Sequence, residues 1–102
     1  MPALRGLTIV VASADPERWA AALALASAQA ALGGAARVYC HDAAVTRLVE
    51  DEALLTARDL GVAFVACQSG LAAHGMALPD FAEGGGLVSL IAGLGDDRLV
   101  TL

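Results

Sequence analysis

Short apolar runs alternate with stretches of helical character along this chain. Leu7-Thr8-Ile9-Val10-Val11-Ala12 reads as a buried strand, and Ser13-Ala14-Asp15-Pro16-Glu17 as the start of a helix. Asp15 is placed to cap, proline suits the first helical position, and Glu17 complements the positive end of the helix dipole. This helix is expected to run through the alanines to Leu32 and stop at Gly33-Gly34. Arg37-Val38-Tyr39-Cys40 forms a second short strand that ends at His41-Asp42. Two short helices follow, Ala43 to Val49 capped by Asp42, and Asp51 to Leu60 ended by Gly61. Val62 to Ala66 then reads as a strand buried on both faces, with Cys67 at its end. Helical character returns at Leu71-Ala72-Ala73-His74 up to Gly75, and again at Leu87 to Leu94 after the Gly84-Gly85-Gly86 break. Asp97 to Leu102 closes the chain as a final strand.

Strands alternating with helices predict an α/β fold, a mostly parallel sheet of four or five strands covered on both faces. A single domain over residues 1–102 holds the whole pattern, with an expected strand order of 2-1-3-4.

Composition changes this picture in two ways. The chain is 58% hydrophobic with a mean hydropathy of +0.68, more apolar surface than one small domain readily hides. Burial between subunits is the simplest outlet, so a homo-oligomer or a subunit of a hetero-oligomer is expected. The net charge is −5, there is no lysine, and the six arginines are scattered. No basic stripe is available for phosphates, which argues against direct nucleic-acid binding. The missing lysine also excludes a Walker-type phosphate loop and Schiff-base chemistry. Met1 to Arg5 leads straight into the first strand without a secretory signal, and the apolar stretch from Trp19 to Leu32 is interrupted by Ser27 and Gln29. Neither a cleaved leader nor a membrane partner is expected, and the cysteine usage fits a reducing cytoplasm.

The candidate chemistry centres on Cys67, at a strand-to-helix junction where open α/β sheets keep their sites. Gln68, Ser69 and Gly70 would begin the next helix with their unpaired amides facing the sulfur, stabilising a thiolate. Gly70 would allow a donor to approach closely. The competing reading is a buried, inert cysteine, since free cysteine is among the most buried residue types. His41 and Ser13 stand at the ends of the second and first strands, where both could border the same crevice; the alternatives are a solvated loop histidine and a capping serine. His74, two helical turns beyond Cys67, reads as a surface or interface residue. Cys40 reads as structural, and the strand order would hold it too far from Cys67 for a disulfide. Two histidines and two cysteines invite a zinc site, but their spacing supplies no recognised ligand pair, so no metal is expected. The triple glycine lacks the spacing of a dinucleotide fingerprint and reads as a hinge or close-packing site.

The order of these segments resembles the DsrE/DsrF-like family of sulfur-relay proteins. The resemblance rests on "LTIVVASADPERWAAALALASAQAALGG", "ARVYCHDAAV", "GVAFVACQSGLAAHG" and "GGGLVSLIAGLGDDRLVTL", which together span nearly the whole chain. It implies a flavodoxin-like three-layer α/β/α sandwich and assembly into dimers, trimers or hexamers. It also implies that Cys67 accepts sulfane sulfur as a persulfide from a donor protein, such as a desulfurase or rhodanese, and passes it to an acceptor. The cysteine is then itself the carrier and no cofactor is required. The second strand departs from the family pattern, ending in Tyr39-Cys40-His41-Asp42 rather than phenylalanine and a glycine-valine turn. Some family members lack the active cysteine and serve as assembly subunits. A small-molecule-binding module using a crevice beside strands one and three is a further alternative.

Overall fold

Aspartate caps and left-handed glycines set the element boundaries. In the computed structural model, which describes residues 4–102, Asp15 accepts a hydrogen bond from the Arg18 amide at 2.9 Å and Asp51 one from the Leu54 amide at 3.0 Å. Met1, Pro2 and Ala3 of the lead-in to the first strand lie outside the described residues. The elements are β1 (Leu7–Val11), α1 (Pro16–Ala31), β2 (Ala36–Cys40), a 3₁₀ turn (Asp42–Arg47), α2 (Glu52–Asp59), β3 (Ala63–Cys67), α3 (Gln68–Ala73), β4 (Ala82–Gly85), α4 (Leu87–Ala92) and β5 (Arg98–Thr101). Gly33, after α1, and Gly61, after α2, have φ of +88° and +99°, a conformation that glycine adopts without a Cβ penalty.

Two boundaries differ from expectation. Asp42 does not cap the helix after β2; it is the first residue of the 3₁₀ turn, with φ of +50°. The triple glycine is not a hinge: Gly84 and Gly85 belong to β4, an edge strand, and Gly85 pairs with Cys67.

All five strands pair in parallel, in the order β4-β3-β2-β1-β5, giving a flavodoxin-like α/β/α sandwich. The expected order 2-1-3-4 is therefore corrected: β3 pairs with β2, not with β1. The cause is directional. The first three crossovers all step the same way across the sheet, and only the last returns, from β4 to β5 beside β1. Right-handed crossovers that step one way keep their helices on one face, and the return carries α4 to the other.

The two faces are consequently unequal. On one, Ile9, Val11, Val38, Cys40 and Ala66 are fully buried beneath α1 and α2. Trp19 of α1 packs against Phe64 at 6.3 Å between ring centres, and Phe81 meets Phe64 edge-on at 6.2 Å. The opposite face carries Thr8, Val10, Arg37, Tyr39, Val65 and Cys67, with Leu90 of the six-residue α4 over part of it. Leu99 on this face, and Leu87, Val88 and Ile91 on α4, stay exposed.

Candidate functional site at Cys67

Strand β3 ends where α3 begins, so Cys67 is both the last strand residue and the helix N-cap. Its backbone is extended, with φ of −62° and ψ of 115°, which lets the side chain reach back to the first helical turn. The Gly70 amide donates to the Cys67 sulfur at 3.3 Å, and the Ser69 hydroxyl lies 3.2 Å from it. A thiolate is acceptor-only, so both become charge-assisted donors when the thiol ionises. Cys67 is 5% exposed, and this burial alone would push its thiol up. Donation from Ser69, from the Asp42 and Gly70 amides and from the Tyr39 hydroxyl outweighs burial and brings it down from 9.0 to about 6. At neutral pH the sulfur is then mostly thiolate, the nucleophilic form.

The Asp42 amide reaches this cluster because α3 and the loop after β2 are in close contact. A Cβ on Gly70 would sit 2.9 Å from the Asp42 carbonyl oxygen and 3.0 Å from its Cα. Gly70 therefore admits this chain's own backbone, where the sequence left room for a donor's. The left-handed φ of Asp42 is uncommon for a residue with a side chain, and such conformations gather at functional sites. His74 Nε2, across α3, lies 3.6 Å from the Asp42 carboxylate.

The other expected site residues divide. Ser69 and Gly70 touch the sulfur; Gln68 starts the same helix, but its side chain packs over Gly84 of β4. His41 follows Cys40, which pairs with Ala66, so continuing the register brings His41 alongside Cys67. Its ring stacks on Tyr39 at 6.3 Å. Ser13 is not part of the site. It follows β1, which β2 separates from β3 by roughly 10 Å, and its hydroxyl accepts from the Asp15 amide. For the same reason the crevice expected beside strands one and three does not form.

Tyr39 is the residue that sequence reading left out. It is fully buried on the Cys67 face and pairs with Val65, two residues before Cys67. That offset is roughly 8 Å diagonally along the sheet, within reach of a tyrosine side chain. Although its hydroxyl helps to lower the Cys67 thiol, it has no hydrogen bond of good geometry; among the described residues Tyr39 Oη and His41 Nδ1 are buried polar atoms without a partner. Unpaired buried polar groups are uncommon and costly.

Cys40 is a free cysteine on the opposite face, where burial pushes its thiol up to about 12. The spacing argument against a disulfide does not survive, since β2 and β3 are neighbours; what separates the two sulfurs is the sheet itself. Two open hollows of the surface lie away from Cys67. One, of about 460 Å³, lies between α1 and α2 and is lined by Leu23, Ser27 and Thr56; another runs along α4. Among the described residues no group of three His, Cys, Asp or Glu side chains is placed to hold a metal, and no helix is long and apolar enough to cross a membrane. A comparison with models of known protein families gave no match, and a comparison with curated proteins gave none either.

Proposed function

We propose that the protein is a cytoplasmic sulfur relay of the DsrE type, carrying sulfane sulfur as a persulfide on Cys67. The observation that carries this reading is the convergence of Gly70 and Ser69 donors on one sulfur whose thiol is brought down to about 6. In loading, the Cys67 thiolate attacks the outer sulfur of a donor persulfide, R–S–S–H. A bond forms between Cys67 Sγ and that sulfur, the donor S–S bond breaks, and its electron pair leaves on R–S⁻. Attack by an acceptor thiolate on the outer sulfur of Cys67–S–S–H returns the Cys67 thiolate. The two steps need no external oxidant, reductant or cofactor. A protein persulfide, as carried by a desulfurase or rhodanese, is the donor class, and a protein thiol the acceptor. The chain acts as an oligomer, with the exposed apolar residues of α4 supporting association between copies.

The test is intact-protein mass spectrometry after polysulfide treatment, with Cys67→Ser and Cys40→Ser proteins alongside. Reducible added sulfur that disappears only in Cys67→Ser is the expected result. In the Cys40→Ser protein, Cys67 is expected to alkylate with a midpoint near the thiol value of about 6. No sulfur uptake, with Cys67 closed to alkylation, would overturn the reading in favour of an assembly subunit.

A further inference from the structure

A persulfide places one more atom beyond the cysteine sulfur, and that atom needs its own surroundings. The Ser69 hydroxyl and the Gly70 amide already serve Sγ at 3.2 and 3.3 Å. The outer sulfur stands about 2.05 Å further out, the ordinary S–S length. On the same sheet face, on the neighbouring strand, Tyr39 presents a fully buried hydroxyl that faces the Cys67 sulfur but has no hydrogen bond of good geometry. Its ring is held by the stacked His41.

Resting on the sulfur-relay reading, we propose that Tyr39 is a positioning residue whose hydroxyl donates to the outer sulfur of the Cys67 persulfide. In the free protein this donor reaches Sγ without a hydrogen bond of good geometry, and a sulfur one bond further out supplies one, which favours the loaded state over the empty one. Burial, and behind it the nearby cysteines, pushes the Tyr39 hydroxyl up to about 12, so it keeps its proton and remains a donor throughout the neutral range. Because the donor is an O–H of a rigid ring, it also orients the outer sulfur for an incoming acceptor thiolate.

Tyr39 is the chain's single tyrosine, so uniform fluorotyrosine labelling modifies this position alone. The experiment compares unlabelled protein, fluorotyrosine protein and Tyr39→Phe across a polysulfide titration, reading the persulfide fraction by intact mass and its ionisation by near-ultraviolet absorbance against pH. Tyr39→Phe is expected to need roughly tenfold more polysulfide for half-loading, a loss typical of one hydrogen bond to a charged group. Its persulfide should ionise at higher pH. The more acidic fluorotyrosine shifts both quantities the opposite way, and its fluorine resonance moves on loading. A merely structural tyrosine moves neither quantity, and thermal unfolding of each protein separates loss of fold from loss of the donor. Equal loading and equal ionisation in all three proteins overturn the proposal while leaving the relay intact. Absence of loading in the unlabelled protein overturns both.

Discussion

Cys40 and Cys67 end neighbouring parallel strands, yet they lie on opposite faces of the sheet, because Cys40 pairs with Ala66 and Cys67 is one residue further on. A one-residue offset thus separates two thiols of identical chemistry into opposite environments. Cys40 sits beneath α1 and α2 without a compensating donor, and burial pushes it up to about 12. Cys67 meets the first turn of α3 and the amide of Asp42, which bring it down to about 6 against the opposing effect of burial. The sheet sorts the thiols, and only one is left able to ionise in the neutral range.

This sorting predicts how stability depends on pH. The folded Cys67 thiol lies below its unfolded value of 9.0, so between about 6 and 9.0 the folded chain binds fewer protons than the unfolded one. Raising pH through that window stabilises the fold, by at most on the order of 4 kcal/mol. The contribution is fully present above 9.0 and is lost as pH falls through about 6. Cys40 has the opposite sign: its folded value is raised from 9.0 to about 12, so its contribution is present below 9.0 and lost as pH rises towards 12. Tyr39, raised from 10.0 to about 12, adds to that alkaline loss. Denaturant midpoints measured across this range should rise from pH 6 to 9 in the native sequence. Cys67→Ser should flatten that rise, and Cys40→Ser should leave it intact. A rise that persists in Cys67→Ser would refute the assignment.

Gly70→Ala tests the contact that delivers the Asp42 amide. Helix propensity alone favours alanine in α3 by about 1 kcal/mol. The added Cβ, however, would stand 2.9 Å from a backbone oxygen and 3.0 Å from a backbone Cα, neither of which can rotate away. Overpacking of this kind costs about 1–3 kcal/mol, so the clash wins and the variant is expected to be less stable. Separation of α3 from the Asp42 loop should also raise the Cys67 alkylation midpoint towards that of free cysteine. A variant as stable as the parent, with an unmoved midpoint, would show that the contact does not shape the site.

Much of this fold is written in local patterns. "LTIVV", "ARVYC" and "AFVAC" are apolar enough to require burial on both faces, and they form the three inner strands of the sheet. The Asp15 cap was equally readable, because capping depends on a few consecutive residues, whereas Asp51, read as the first helical residue, is the cap of α2. Strand order is a different kind of information. Three buried parallel strands look alike in sequence, and which one is central depends on pairing between residues far apart in the chain. β4 was missed because "AEGG" has no β-branched or aromatic residue; it is a strand only because β3 offers an edge. The same limit applied to the site. Ser69 and Gly70 were found through their closeness to Cys67 in sequence, whereas Tyr39 and the Asp42 amide arrive through the β2–β3 register, which an expected order of 2-1-3-4 hid.

The uneven coverage of the sheet predicts where copies of the chain meet. Among the described residues α1 and α2 cover one face, while the other has only the six-residue α4 and leaves Leu99 of β5 exposed. On α4 itself Val88 is 86% exposed and Ile91 56%, so its outward side is as apolar as its inward one. A six-residue helix whose exposed side chains are apolar apart from Ser89 gains little from solvent contact, and association removes that surface from water. Replacing Val88 with aspartate should leave the fold unchanged, since its side chain touches little of the core, while desolvating a carboxylate in the interface would oppose association. Sedimentation velocity over a concentration series is the measurement: the native sequence should sediment as an oligomer and Val88→Asp as a monomer, with matching circular dichroism. A native sequence that stays monomeric throughout would refute association through this face. An oligomer unaffected by Val88→Asp would move the interface elsewhere, to the exposed Leu25 of α1 and Leu32 just beyond its end.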